Sequence, residues 1–121
     1  PVMGHLGLTP QSYLNQGLKK QGEKDFEQAK IKKDALLLEE LGCFSLVLEH
    51  IPESLAKEIK ENLKIPTIGI GAGNYCDGQV RVTADLLGLT DKQPPFSIPL
   101  VNGKQLFIQR LKKWIDSERF N

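Results

Sequence analysis

The sequence predicts an α/β fold built on a parallel sheet, with the size of half a (β/α)8 barrel. Two observations carry this reading. Short apolar runs alternate with segments whose apolar residues recur at helical spacing, the pattern of repeated βαβ units. Four strand candidates fit within 121 residues, whereas a complete (β/α)8 barrel takes about 250 residues. The expected organisation is a half-barrel over residues 1–90, then a proline-containing linker and terminal helix over 91–121.

Each element has its own justification. Residues 1–7 are short and apolar and end in glycine, as a buried strand entering a loop would be. Thr9-Pro10-Gln11 reads as a turn, and Gly17 and Gly22 punctuate a polar loop. From about Asp25 to Leu41 the spacing predicts a helix whose apolar stripe is Phe26, Ala29, Leu36, Leu37 and Leu41, stopped by Gly42. Cys43 to Leu48 is a compact apolar run, suited to a strand covered on both faces, and it ends at Glu49-His50-Ile51. Pro52 opens the next helix, where Leu55, Ile59 and Leu63 recur at four-residue steps. Glu53 with Lys57, and Lys57 with Glu61, are spaced as ion pairs on its wet side. A further strand, Ile65 to Ile70, runs into Gly71-Ala72-Gly73-Asn74, and Gln79 to Val82 is the fourth. Asp85 to Gly88 is a short turn or helix. Pro94, Pro95 and Pro99 forbid regular structure in the linker. Residues 104–120 form a helix whose apolar face, Phe107, Leu111 and Trp114 with Ile108 and Ile115, packs within the subunit or against a neighbour.

Composition narrows the function classes. Hydrophobic residues at 40% and charged residues at 26% are ordinary globular usage, which excludes a disordered tail or a fibrous repeat. Sixteen basic residues against fifteen acidic ones give a formal charge of +1. The lysines between Lys19 and Lys33 are interleaved with Glu23, Asp25, Glu27 and Asp34, a solvated face and not a nucleic-acid site. Cys43 and Cys76 are far apart and outside any C-x-x-C motif. No apolar run approaches the roughly 18 residues of a membrane span, and the N-terminus has no secretory pattern. A cytoplasmic protein with reduced thiols is expected. The chain opens within a strand, so it is also expected to be part of a longer protein.

Reacting groups in parallel α/β folds gather at the C-terminal ends of strands. Here those ends carry His5, then Glu49 with His50, then Gly69 to Gly73. A carboxylate placed after an apolar strand suits general-base chemistry, and the alternative is a surface glutamate opening the next helix. His5 between Gly4 and Gly7 could donate to a ligand oxygen or be a satisfied core histidine. His50 reads as a loop residue beside the base. The Gly69–Gly73 run lacks the helix that a dinucleotide fingerprint requires directly after its glycines, so it reads as an open rim. Two cysteines and two histidines are not grouped for zinc.

Taken in order, residues 1–12 (PVMGHLGLTPQS), Leu46-Val47-Leu48-Glu49 with Pro52, residues 65–74 (IPTIGIGAGN) and Asp77-Gly78-Gln79 resemble the ketopantoate hydroxymethyltransferase family. The resemblance covers residues 1 to about 89 and implies the C-terminal half of a (β/α)8 barrel of the phosphoenolpyruvate/pyruvate type. It implies transfer of a hydroxymethyl group from 5,10-methylenetetrahydrofolate to 3-methyl-2-oxobutanoate, giving 2-dehydropantoate for pantothenate synthesis. It also implies Mg2+ chelating the oxo acid, with the metal ligands in an N-terminal half-barrel partner and none in this chain. By the same resemblance Glu49 is the proton acceptor, His5 binds substrate, and the enzyme is a homo-oligomer. Residues 16–22 (QGLKKQG) and Glu23 depart from the family pattern, which bears on how that loop closes over substrate. The 121-residue chain is expected to be inactive alone. The alternatives are another magnesium-dependent 2-oxo-acid lyase of the same barrel type, and a non-catalytic half-barrel that assists assembly.

Overall fold

The computed structural model describes residues 1–118, with residues 14–16 described by their backbone alone. The chain divides into two compact units, residues 1–80 and the residues from Arg81 onward.

In the first unit, strands β1 (Met3–Gly7), β2 (Ser45–Glu49), β3 (Thr67–Ile70) and β4 (Gly78–Gln79) form one sheet in sequence order. All three pairings are parallel. Strand number and direction match the expectation. Helices α1 (Pro10–Gln16) and α2 (Asp25–Glu40) connect β1 to β2, and α3 (Glu53–Asn62) connects β2 to β3.

Strand residues alternate between two faces. Leu6, Leu46 and Leu48 point to the helical side, where Leu46 and Leu48 are fully buried among Ala35, Ile51, Leu55, Ala56, Ile59 and Ala72. Gly4 leaves room on this side: a Cβ there would lie 2.8 Å from Leu46 Cδ1 and 3.0 Å from Leu38 Cδ1, so those leucine ends would have to shift. Register partners His5 and Val47, with Gly7 and Glu49, share the opposite face.

Four expectations are corrected. Thr9-Pro10-Gln11 begins a helix and is not a simple turn. Thr9 caps α1 through its side chain, Ser12 returns a bond to the Thr9 backbone, and Pro10 occupies the first turn. The stripe assigned to α2 is on the wrong side: Phe26 and Leu41 are 69% and 73% exposed, and Ala29, Leu36 and Leu37 are exposed too. Ala35 is buried, flanked by partly buried Ile31 and Leu38 at i, i+4, i+7 spacing. The helix is apolar on more than one side, so periodicity alone did not choose. Strand β4 stops at Gln79, short of the expected Val82. Glu53 accepts a hydrogen bond from the Asn74 amide (3.0 Å) in place of the expected bond to Lys57, whereas Lys57 does face Glu61 at 4.0 Å. Within α3 the expected face holds: Leu55 and Ile59 are buried and Leu63 packs beside them.

In the second unit, α4 (Thr83–Leu86) and α5 (Gly103–Glu118) flank the irregular proline-containing segment. Gly103 donates to Leu87 O and Leu100 to Leu86 O, both at 2.8 Å. Buried Asp85 accepts from the Thr90 hydroxyl at 2.7 Å. Phe107, Leu111 and Trp114 on α5 are exposed, so of the two packing expectations the one within the subunit does not hold. The expected helix end at Phe120 lies outside the described residues. Among the described residues, no helix is long and apolar enough to cross a membrane.

The link from β3 to β4 is closed by one carboxylate. The fully buried Thr67 donates to Asp77 Oδ2 through both its backbone N–H and its hydroxyl, each at 2.9 Å. These bonds, the backbone one first, hold the Asp77 carboxyl below the usual carboxylate range. A lowered folded-state pKa contributes stability above the unfolded value and loses it as pH falls through the folded value. Asp77→Ala should destabilise the chain by about 1–3 kcal/mol at pH 7 in urea titrations, the range for an orphaned buried donor. The gap from the parent should narrow as pH falls from about 4 through the lowered folded value.

Candidate active site at the ends of the first two strands

Glu49 is the last residue of β2, and His5 lies two residues before the end of β1. The parallel register places Gly7 against Glu49 and His5 against Val47, so both side chains rise from the same face. They meet there. His5 Nε2 stands 2.9 Å from Glu49 Oε2, with 33% and 21% of their side chains exposed. The residues alone had left His5 open between core histidine and ligand group. The structure pairs it with the carboxylate.

Gly7 makes the close approach possible. Its φ is +92°, and a Cβ would lie 2.1 Å from the Glu49 carbonyl oxygen. That carbonyl accepts the Leu8 N–H at 2.8 Å, which fixes the end of β1 over the end of β2. No residue but glycine fits this position without strain.

His50 lies in the bend after β2, beside Glu49, as expected of a loop residue there. It is buried at 8% exposure and adopts φ +49°, unusual outside glycine. Its N–H donates to Ile70 O at 2.8 Å, and its carbonyl accepts from Gln21 N–H at 3.0 Å. The residue turns the chain out of β2 and pins the 17–23 loop. The glycine-rich run passes through a loop into β4 and not into a helix, so a dinucleotide fingerprint is ruled out there. Gly71 and Gly73 take φ +62° and +77°, conformations that suit glycine.

Hard divalent cations are held by several oxygen ligands. Among the described residues, no three His, Cys, Asp or Glu side chains gather where a metal could sit. The donor set near Glu49 is one carboxylate and one imidazole already joined to it. These residues do not by themselves make a magnesium site.

Fold and site together define the class: a parallel α/β domain with a carboxylate and an imidazole paired at the carboxyl ends of adjacent strands. The ketopantoate hydroxymethyltransferase family model matches residues 1–119, and the chain belongs to that family. A relative from Prochlorococcus marinus (strain MIT 9312), named 3-methyl-2-oxobutanoate hydroxymethyltransferase, is 74% identical over all 121 residues of this chain and 47% of its own length. A relative of the same name from Parasynechococcus marenigrum (strain WH8102) is 56% identical over 118 residues, 98% of this chain and 44% of its own length. The chain thus spans about half the length of the curated relatives it matches.

Burial, and then the charge of Lys20, lowers the pKa of His50. The folded protein resists protonating it, so stability is full above about pH 6.5 and falls as pH drops through the lowered value. His50→Asn removes the titration with a residue that tolerates positive φ. Between pH 7.5 and 5.5, chemical denaturation should show a smaller stability loss in this variant than in the parent.

Proposed function

We propose that this chain supplies the proton-abstracting part of an enzyme that moves a hydroxymethyl group from 5,10-methylenetetrahydrofolate to 3-methyl-2-oxobutanoate. The observation that carries the reading is the Glu49–His5 contact at 2.9 Å on adjacent strand ends. The family and the relatives' printed name supply the substrate.

Glu49 takes the proton from the carbon next to the ketone, and the electron pair moves toward the ketone oxygen as an enolate. Water adds to the donor's methylene carbon and breaks its two bonds to nitrogen, so tetrahydrofolate leaves with the protons and a one-carbon unit at the aldehyde level remains. The enolate carbon bonds to that carbon, the new alkoxide takes back the proton held by Glu49, and 2-dehydropantoate results. Before substrate arrives, His5 holds the carboxylate in one orientation. With substrate bound, its N–H turns to an oxo-acid oxygen and leaves Glu49 free to act as base. Val47 and Ile68, on the same face by register, form an apolar floor beneath the branched end of the oxo acid.

On this reading the four-stranded sheet is the C-terminal half of a (β/α)8 barrel. Magnesium and its carboxylate ligands belong to the half of the relatives' length that this chain does not span. The complete enzyme is a cytoplasmic homo-oligomer.

A chimera tests the assignment, with this chain replacing the matching residues of the 74%-identical relative. Without folate, the chimera should exchange the substrate's C3 hydrogen with deuterated water. Glu49→Gln should lower that exchange by about 10²–10⁴-fold, the usual contribution of a positioned base. Exchange at the parent rate in Glu49→Gln would remove the base. The 121-residue chain alone should give no exchange. Hydroxymethyl transfer by the chimera should require methylenetetrahydrofolate, which a lyase of the same barrel type would not.

A further inference from the structure

We propose that Glu53 and Gln79 are positioning residues that hold the loop after β3 as the wall of the Glu49 site. This role rests on the reading of Glu49 as base.

The loop is next to the carboxylate by construction. Ile70, the last residue of β3, is the register partner of Glu49, and Gly71 to Asn74 follow it directly. One end is tied by the His50 N–H on Ile70 O. In the middle, Ala72 is fully buried in the core. What remains free to swing is the glycine and asparagine beyond it.

Two side chains grip that segment from behind. Asn74 N–H donates to Glu53 Oε1 at 3.0 Å, and Gln79 Nε2 donates to Gly73 O at 3.0 Å. Gln79 pairs with Gly69, one residue from the partner of Glu49, so it lies on the other face of the sheet. Glu53 stands in the first turn of α3, four residues beyond the base. Gly73 lies directly against it: a Cβ there would fall 2.3 Å from Glu53 Cγ, at φ +77°. Neither side chain enters the face that carries His5 and Glu49. Each acts through the loop.

The contacts are exposed, so each contributes little to stability against competing water. Their effect is on geometry. A wall displaced by about 1 Å can cost up to roughly 10² in rate without a change in chemistry. Gln at position 53 keeps a carbonyl oxygen to accept the Asn74 N–H, and Ala does not.

The test uses the chimera described above, with steady-state kinetics and thermal melts. Glu53→Ala should lower kcat about tenfold, with a smaller change in KM for the oxo acid and an unchanged melting midpoint. Glu53→Gln should stay within about twofold of the parent. Parent-like kcat in Glu53→Ala, with Glu49→Gln inactive, overturns the positioning role and leaves the base intact. An active Glu49→Gln overturns the base and the positioning role with it. Should Glu53→Ala fail to fold, Gln79→Ala must show the same loss of kcat, and parent-like kcat there overturns the proposal. Amide exchange at Asn74 in the 121-residue chain reads the grip without any turnover. It should quicken by about two- to threefold in Glu53→Ala, the scale of one exposed hydrogen bond, and unchanged protection overturns the grip.

Discussion

The register between β1 and β2 is the constraint on which the rest of this structure depends. In a strand, a one-residue slip sends every side chain to the other face. Leu46 and Leu48 are fully buried on the helical side, so such a slip would expose both and bury Val47 and Glu49 in their place. The burial of two leucines is worth about 1.5–3 kcal/mol each, and leaving an unpaired carboxylate among the helices would add several more against it. The energy that builds the core therefore also aims the carboxylate. Gly4 and Gly7 serve the same end, one by admitting Leu46 beneath β1 and the other by admitting the Glu49 carbonyl beside it.

From that register the connections follow. The Glu49 carbonyl binds the Leu8 amide, the His50 amide binds Ile70, and the His50 carbonyl binds Gln21. Three consecutive strand ends are thereby stitched together by backbone groups alone. Because the backbone does the holding at this rim, the His5 and Glu49 side chains are not needed for it. His50 bears the local cost, as a buried imidazole in a left-handed conformation.

The parallel sheet was legible in the sequence because its strands are short, apolar and separated by helical spacing. Glu49 was legible for a simpler reason: a charge after an apolar run has few places to go but the strand end. The face of α2 was not. Phe26, Leu37 and Leu41 form as good a stripe as Ile31, Ala35 and Leu38, and only the sheet beneath decides between them. Helix α1 was hidden behind Thr9-Pro10, which serves a turn and a helix start equally well, although Ser12 three residues on is a capping signal. The His5–Glu49 contact joins residues 44 apart in sequence, and no local pattern encodes it. It follows from register, which one sequence does not reveal. Glu53 and Gln79 carried no motif of their own.

The two faces of the sheet are unequally finished. The helical face is closed, with Leu46, Leu48 and Ala72 at 0% exposure. On the other face Met3 is 46% exposed, Val47 and Ile68 are half-buried, and solvent still reaches His5 and Glu49. Parallel sheets are stable when covered on both sides, and proton abstraction from carbon gains from a site closed to water. Both demands fall on the same surface. On the proposed reading, a polypeptide that covered this face would bury Met3, Val47 and Ile68 and desolvate the Glu49 carboxylate in one step, so the same contact would serve both the sheet and the base.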